Sequence, residues 1–200
     1  MTNRMIYVVR HGKINIEDNQ RRYIGQLDLP LSEEGILQGQ RLQKILDPVN
    51  LSTVFSSDLV RCQHTLKIIV GNKNVKQVIR KDLREINMGE WEGCTFAEII
   101  RRFPDEFKAR GDDIGYYRVS GGESFADCSK RVMTAFHESI NSSTGHILFV
   151  GHGGVNRLFL CYILGMPIGN VFKIRQDYGC LNVITGNSSG YQVQLLNFRG

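Results

Sequence analysis

Apolar residues in this chain fall into two kinds of run, continuous stretches of strand length and spaced ones of helical period. The stretches at 5–10, 53–56, 75–80 and 146–150 are rich in β-branched and aromatic residues, and the segments between them carry helical patterns. Continuous apolar runs belong to strands covered on both faces, as in a parallel sheet. A helix is predicted behind Ser32, which serves as N-cap. Glu33 and Glu34 occupy its positive first turn, Ile36, Leu42, Ile45 and Leu46 form its apolar face, and Asp47-Pro48 stops it. Residues 59–70 predict a second helix, ended by Gly71-Asn72. Near the C-terminus, alternating runs at 180–185 and 191–198 flank Gly186-Asn187-Ser188-Ser189-Gly190, which predicts an antiparallel hairpin. The order of elements gives an α/β class: a three-layer sandwich with a mostly parallel central sheet and an antiparallel edge hairpin.

The interval 93–143 departs from this rhythm. It is richer in charge, contains the turn-forming Arg110-Gly111-Asp112-Asp113, and carries Phe96, Phe103, Phe107 and Phe125 as docking surface. It reads as a helical insertion over the crevice, acting as a lid, within one domain spanning 1–200. With 200 residues and 42% hydrophobic content the chain can bury one substantial core. The net charge of +5 is scattered, without basic blocks or aromatic interleaving, which argues against a nucleic-acid surface and suits a small anionic substrate. Five cysteines with no C-x-x-C pair read as reduced thiols of a cytoplasmic protein. The first residues run straight into a strand, so no signal peptide is expected, and no apolar stretch reaches the roughly 18 residues that span a bilayer. Residues 158–164 read as a buried helix.

Two of the apolar runs end alike. Val9-Arg10-His11-Gly12 and Val150-Gly151-His152-Gly153 each place a histidine and a glycine where a strand stops. The carboxyl ends of strands in open α/β sheets form the ligand crevice, so two imidazoles and Arg10 at one crevice suit a phosphate ester. A single histidine after a strand is ordinarily a structural residue; the pair in one context points to function. Glycine at both positions lets backbone approach a ligand. The segment 56–61 adds a polar loop and Arg61 in the first turn of a helix, where free N–H groups bind anions and a guanidinium forks onto phosphate oxygens. The segment 83–93 holds Glu85, Glu90, Glu92 and the single tryptophan, Trp91. Glu85, nearest the strand end, is the candidate general acid, while Glu90 and Glu92 read as solvated.

These four blocks, Arg10-His11-Gly12, Ser56 to Arg61, Leu83 to Gly93 and Gly151-His152-Gly153, resemble in order the histidine phosphatase superfamily, the phosphoglycerate-mutase-like group. The resemblance extends over most of the chain. It implies that His11 becomes phosphohistidine, that Arg10, Arg61 and His152 bind the phosphoryl group, and that Glu85 protonates the leaving oxygen, with no metal or cofactor. Residues 21–32, Gly121-Gly122-Glu123-Ser124 and 175–182 resemble the alpha-ribazole phosphatase-like proteins, and alpha-ribazole 5′-phosphate is the substrate this implies. Substrate contacts are then expected from Arg10, Asn15, Gln26, Arg61, Arg84, His152 and Gly153. Lys13 stands where the family commonly has an acidic residue, and Glu17 where it has an asparagine, leaving Asn15 or Asn19 to substitute. The implied function is a metal-independent phosphomonoesterase acting on a small phosphate ester in the cytoplasm, with no nucleic acid or membrane partner and room for a homodimer. Two rival readings are a phosphoglycerate mutase and a non-catalytic phospho-ligand or partner-binding protein of the same fold.

Overall fold

A computed structural model describes residues 4–16, 18, 20–187 and 190–200 of the chain. Its elements in order are β1 (Arg4–Arg10), α1 (Glu33–Leu46), β2 (Leu51–Ser57), α2 (Val60–Val70), β3 (Lys76–Arg80), α3 (Phe96–Arg102), α4 (Pro104–Asp112), α5 (Phe125–Asn141), β4 (His146–Gly151), α6 (Gly153–Leu164), β5 (Leu181–Asn187) and β6 (Gly190–Phe198). The six strands form one sheet in the order β3-β2-β4-β1-β5-β6. The first four are parallel, and β5 and β6 add antiparallel. Ser188 and Ser189 of the expected hairpin loop, and Glu17 and Asn19, lie outside the described residues.

Three layers follow from the burial of both sheet faces. One face packs Val9, Val54, Leu148 and Val150 against Leu42 and Leu46 of α1 and Cys62, Leu66 and Ile69 of α2. The other packs Ile6, Val8, Phe55 and Phe149 against Val132 and Phe136 of α5 and Leu158 and Phe159 of α6. The expected insertion therefore divides: α5 is a crossover helix in the core, α3 docks on it through the buried Ile99, and α4 has no buried residue. Among the described residues no helix is long and apolar enough to cross a membrane. All five cysteines are free.

The predicted face of α1 needs one correction. Ile36 is 41% exposed, and the buried side runs through Gly35, Gly39, Leu42 and Leu46. A side chain on Gly35 would collide with the carbonyl oxygen of Lys13, and one on Gly12 with that of Gly35. The helix thus turns its glycine edge inward because its backbone must touch the loop after β1.

Candidate active site

Strand register, rather than loop geometry, brings the two histidines together. In the parallel pair β1–β4, Arg10 lies opposite Gly151 and the His11 N–H donates to the Gly151 carbonyl at 3.0 Å. Each strand then delivers its next side chain to the same end of the sheet, and the imidazole centroids of His11 and His152 stand 5.2 Å apart at an interplanar angle of 65°. The loop is tied down at each polar atom that could let it drift. The His11 carbonyl accepts from Gly179 N–H at 3.0 Å, and Gly12 N–H donates to the buried Thr65 hydroxyl at 3.1 Å.

Hydrogen bonds then set which nitrogen of each ring is free. His11 Nδ1 lies 2.7 Å from the Gly12 carbonyl, which only accepts, so Nδ1 carries the proton and the Nε2 lone pair is open. Arg61 Nε–H donates to His152 Nδ1 at 3.2 Å, which puts the His152 proton on Nε2, 3.4 Å from the buried Cys62 sulfur. Burial first, then the charges of Arg61 and Arg10, hold the His11 imidazole well below the usual histidine range. Burial, Arg61, His11 and Arg10 do the same to His152. Both rings are therefore neutral near neutral pH, one an unprotonated nucleophile and the other a donor.

Arg61 is 1% exposed. Its guanidinium donates to the Gly25 carbonyl at 2.6 Å, to the Leu27 carbonyl at 2.7 Å and to His152, which leaves two of its five N–H hydrogens uncommitted. Arg10 donates to the Gln176 carbonyl at 2.7 Å and lies 3.7 Å over the Tyr178 ring, while its Nε is buried without a partner. A Cβ on Gly153 would sit 3.2 Å from Arg10 Nε and 3.1 Å from Arg157 Nη1, so two guanidiniums converge on the first residue of α6. Burial and then the neighbouring Arg10 charge lower the Arg157 pKa. Glu85 reaches the same place: its Oε2 accepts from Gly154 N–H at 2.9 Å and its Oε1 from Ile86 N–H at 3.0 Å. A helix N-terminus, two arginines, two neutral imidazoles and one carboxyl group surround a space fit for a phosphoryl group.

Residues 6–199 match the histidine phosphatase superfamily (branch 1). The chain belongs to that superfamily. It is 29% identical over 202 residues to the adenosylcobalamin/alpha-ribazole phosphatase of Escherichia coli (strain K12), covering 97% of this chain and 96% of the relative. The crystal structure of the alpha-ribazole phosphatase from Shigella flexneri superposes with a TM-score of 0.90 at 28% identity, covering 98% of this chain and 97% of that one. A mycobacterial glucosyl-3-phosphoglycerate phosphatase in complex with VO3 gives a TM-score of 0.86 at 26% identity, covering 97% and 98%.

Within this superfamily member, the five residues of the expected catalytic set, Arg10, His11, Arg61, Glu85 and His152, share one site together with Gly153. The remaining expected contacts go elsewhere. Asn15 is exposed and gives its backbone N–H to the Pro30 carbonyl. Gln26 donates its amide to the Glu85 carbonyl at 3.1 Å, and Arg84 forms a paired bond to Asp58 at 2.6 and 2.7 Å, so neither lines the cleft above the histidines. Lys13 pairs with Glu34 at 2.6 Å. Glu92 is not solvated: its carboxylate accepts from Gly25, Gln26, Leu27 and Met88 N–H groups, and it thereby holds the loop whose carbonyls hold Arg61.

Several site residues escape a reading of local pattern. Asn182 donates to the Val8 carbonyl and exchanges bonds of 2.7 and 2.9 Å with Gln176, whose own carbonyl carries Arg10. Asn156, with its amide turned so that oxygen meets the Arg10 N–H, bridges that group and the His152 carbonyl at 3.2 Å each. All three amides are buried. A cleft of about 510 Å³ rises above the site, walled by Arg21, Tyr23, Phe96, Arg110, Phe125, Arg157, Phe172 and Tyr178 among others. Among the described residues no three His, Cys, Asp or Glu side chains gather as a metal-binding group.

Proposed function

We propose that the chain is a phosphomonoesterase working through a phosphohistidine. The carrying observation is the His11 ring, neutral and with Nδ1 committed to the Gly12 carbonyl, so that Nε2 is the attacking atom. In the first step Nε2 bonds to phosphorus and the ester P–O bond breaks. Arg10, Arg61 and His152 meet the charge on the equatorial oxygens, and Glu85 passes a proton to the leaving oxygen. In the second, water attacks phosphorus, its proton goes to Glu85, the N–P bond breaks and inorganic phosphate leaves. The arginines and N–H groups supply the charge neutralisation, so turnover persists under extensive chelation.

Similarity over nearly the full length to alpha-ribazole phosphatases supports alpha-ribazole 5′-phosphate as the first substrate to try. Free cysteines and the absence of a long apolar helix among the described residues support a cytoplasmic setting. The test is rapid quenching during turnover of an aryl phosphate. A base-stable, acid-labile phosphoryl group on the protein and stoichiometric inorganic phosphate are expected, and His11→Ala abolishes both, with activity falling by roughly 10⁴-fold or more. Substantial turnover by that variant overturns the mechanism, and phosphoryl return to substrate instead of phosphate release makes the chain a mutase.

A further inference from the structure

The wall of the cleft carries more positive charge than one phosphate ester uses. Arg10, Arg21, Arg22, Arg110 and Arg157 line it, with Glu85 as the lining carboxylate. Arg22 is neutralised by Asp18, and Arg10 belongs to the phosphoryl site. Arg110 belongs to neither arrangement. It comes from α4 and enters a box of aromatic rings supplied by three other parts of the chain, its Cζ lying 5.6 Å from the Tyr23 centroid, 5.8 Å from Trp91 and 6.0 Å from Phe125. Among the described residues it makes no ion pair and no hydrogen bond, and none of its nitrogens is sealed from solvent. Rings hold the cation by its surroundings and leave its N–H edge free, which is the part that forks onto an anion. Phe125 links the two ends of the cleft: one edge neighbours Arg110, and its Cε1 lies 3.3 Å from where a Cβ on Gly154 would stand. Burial also lowers the Arg110 pKa, so a guanidinium is kept here against its solvation.

We infer that Arg110 is a specificity-determining residue that binds a second anionic group, carboxylate or phosphate, on a substrate whose phosphate ester sits between His11 and His152. The inference rests on the phosphoryl site proposed above. It selects short phosphate esters with a second acid group one ring's width from the ester, and alpha-ribazole 5′-phosphate, with a single phosphate and an apolar base, would leave Arg110 unmatched. Arg157, stacked on Phe172 between the two ends, serves whichever anion is nearer.

The experiment compares glycerol 3-phosphate, 3-phosphoglycerate and propane-1,3-diol bisphosphate, which differ in the presence and kind of second anion, with alpha-ribazole 5′-phosphate and p-nitrophenyl phosphate beside them. Binding is measured by calorimetry and turnover by phosphate release, on the full chain. The wild type is expected to favour a second anion, and the carboxylate and bisphosphate arms tell which. Arg110→Met is expected to remove that preference, with a loss of roughly 10- to 100-fold in kcat/KM for the doubly anionic esters, carried by KM, and less than about twofold change for p-nitrophenyl phosphate. Arg110→Lys restores part of it. Arg118→Met, at an exposed arginine paired with Asp127, removes the same charge and is expected to do nothing. Equal binding of glycerol 3-phosphate, 3-phosphoglycerate and propane-1,3-diol bisphosphate by the wild type overturns the inference. So does an Arg110→Met variant that loses all substrates alike, or an equal effect of Arg118→Met. If p-nitrophenyl phosphate is not hydrolysed while the binding preference and its loss are both seen, the phosphatase reading fails and the second-anion site stands.

Discussion

Floor and wall of the cleft are both cationic, yet they treat charge in opposite ways. On the floor, Arg61 is buried with three hydrogen bonds, and the two imidazoles beside it are kept neutral. On the wall, Arg21 and Arg110 lie against Phe96 and Tyr23 at 4.3 and 5.6 Å from ring centroids. A hydrogen-bonded guanidinium in a closed site is fixed to within a few tenths of an ångström, which preorganised charge stabilisation demands. A guanidinium resting on rings keeps its donors free to adapt to a ligand. The floor is built for one chemical group, the wall for choice among molecules that carry it.

The contrast makes its largest prediction at Arg61. Arg61→Met removes a fixed donor to the phosphoryl group and strands the Gly25 and Leu27 carbonyls, so kcat is expected to fall by about 10²- to 10³-fold and stability by about 2 kcal/mol in urea melts. A loss no greater than that of Arg110→Met would erase the distinction. Glu85→Gln comes next. It keeps the contact with Gly154 but supplies no acidic proton, and single-turnover phosphorylation of His11 is expected to slow by roughly 10²-fold with an alkyl ester and far less with p-nitrophenyl phosphate, whose leaving group needs no proton. Equal slowing with both esters would move the acid elsewhere.

A smaller effect follows from the neutral imidazoles. Histidines in the unfolded chain titrate near 6.5, whereas His11 and His152 are held well below that. Between the native values and about 6.5 the unfolded chain binds more protons, so stability is complete above that window and falls as pH drops through it, by at most ~1.4 kcal/mol per pH unit for each histidine. Urea midpoints between pH 7.5 and 5 measure it. His152→Asn should flatten the slope, and an unchanged slope in that variant would place the proton uptake on other groups.

Most of the floor was legible because its parts are local. A strand-length apolar run ending in histidine and glycine announces both element and site, and Arg61 follows a strand at the start of a helix. Glu92 was not, since the N–H groups it accepts from belong to residues 25–27 and 88, which no pattern around position 92 reveals. Thr65, Gln176 and Asn182 were hidden for the same reason: an uncharged polar residue says nothing until its buried partner is known. Arg110 read as a turn residue because its meaning lies in three rings from residues 23, 91 and 125. Asn15 and Arg84 show what local pattern does not carry, the first lying exposed and the second paired with Asp58 from another segment.

The pairing of β1 with β4 has a consequence for how the molecule is made. His11 and His152 meet only through the register that sets Arg10 opposite Gly151, and β4 is the last of the parallel strands in the chain. A ribosome that has released the first two thirds of this protein has supplied the nucleophile, Arg61 and Glu85, and still no centre exists. Closing so long a loop is slow and comes late in assembly. Recovery of catalysis during refolding is therefore expected to trail helix formation and to report the moment the central sheet closes. Activity in this fold is a clock for its slowest topological event.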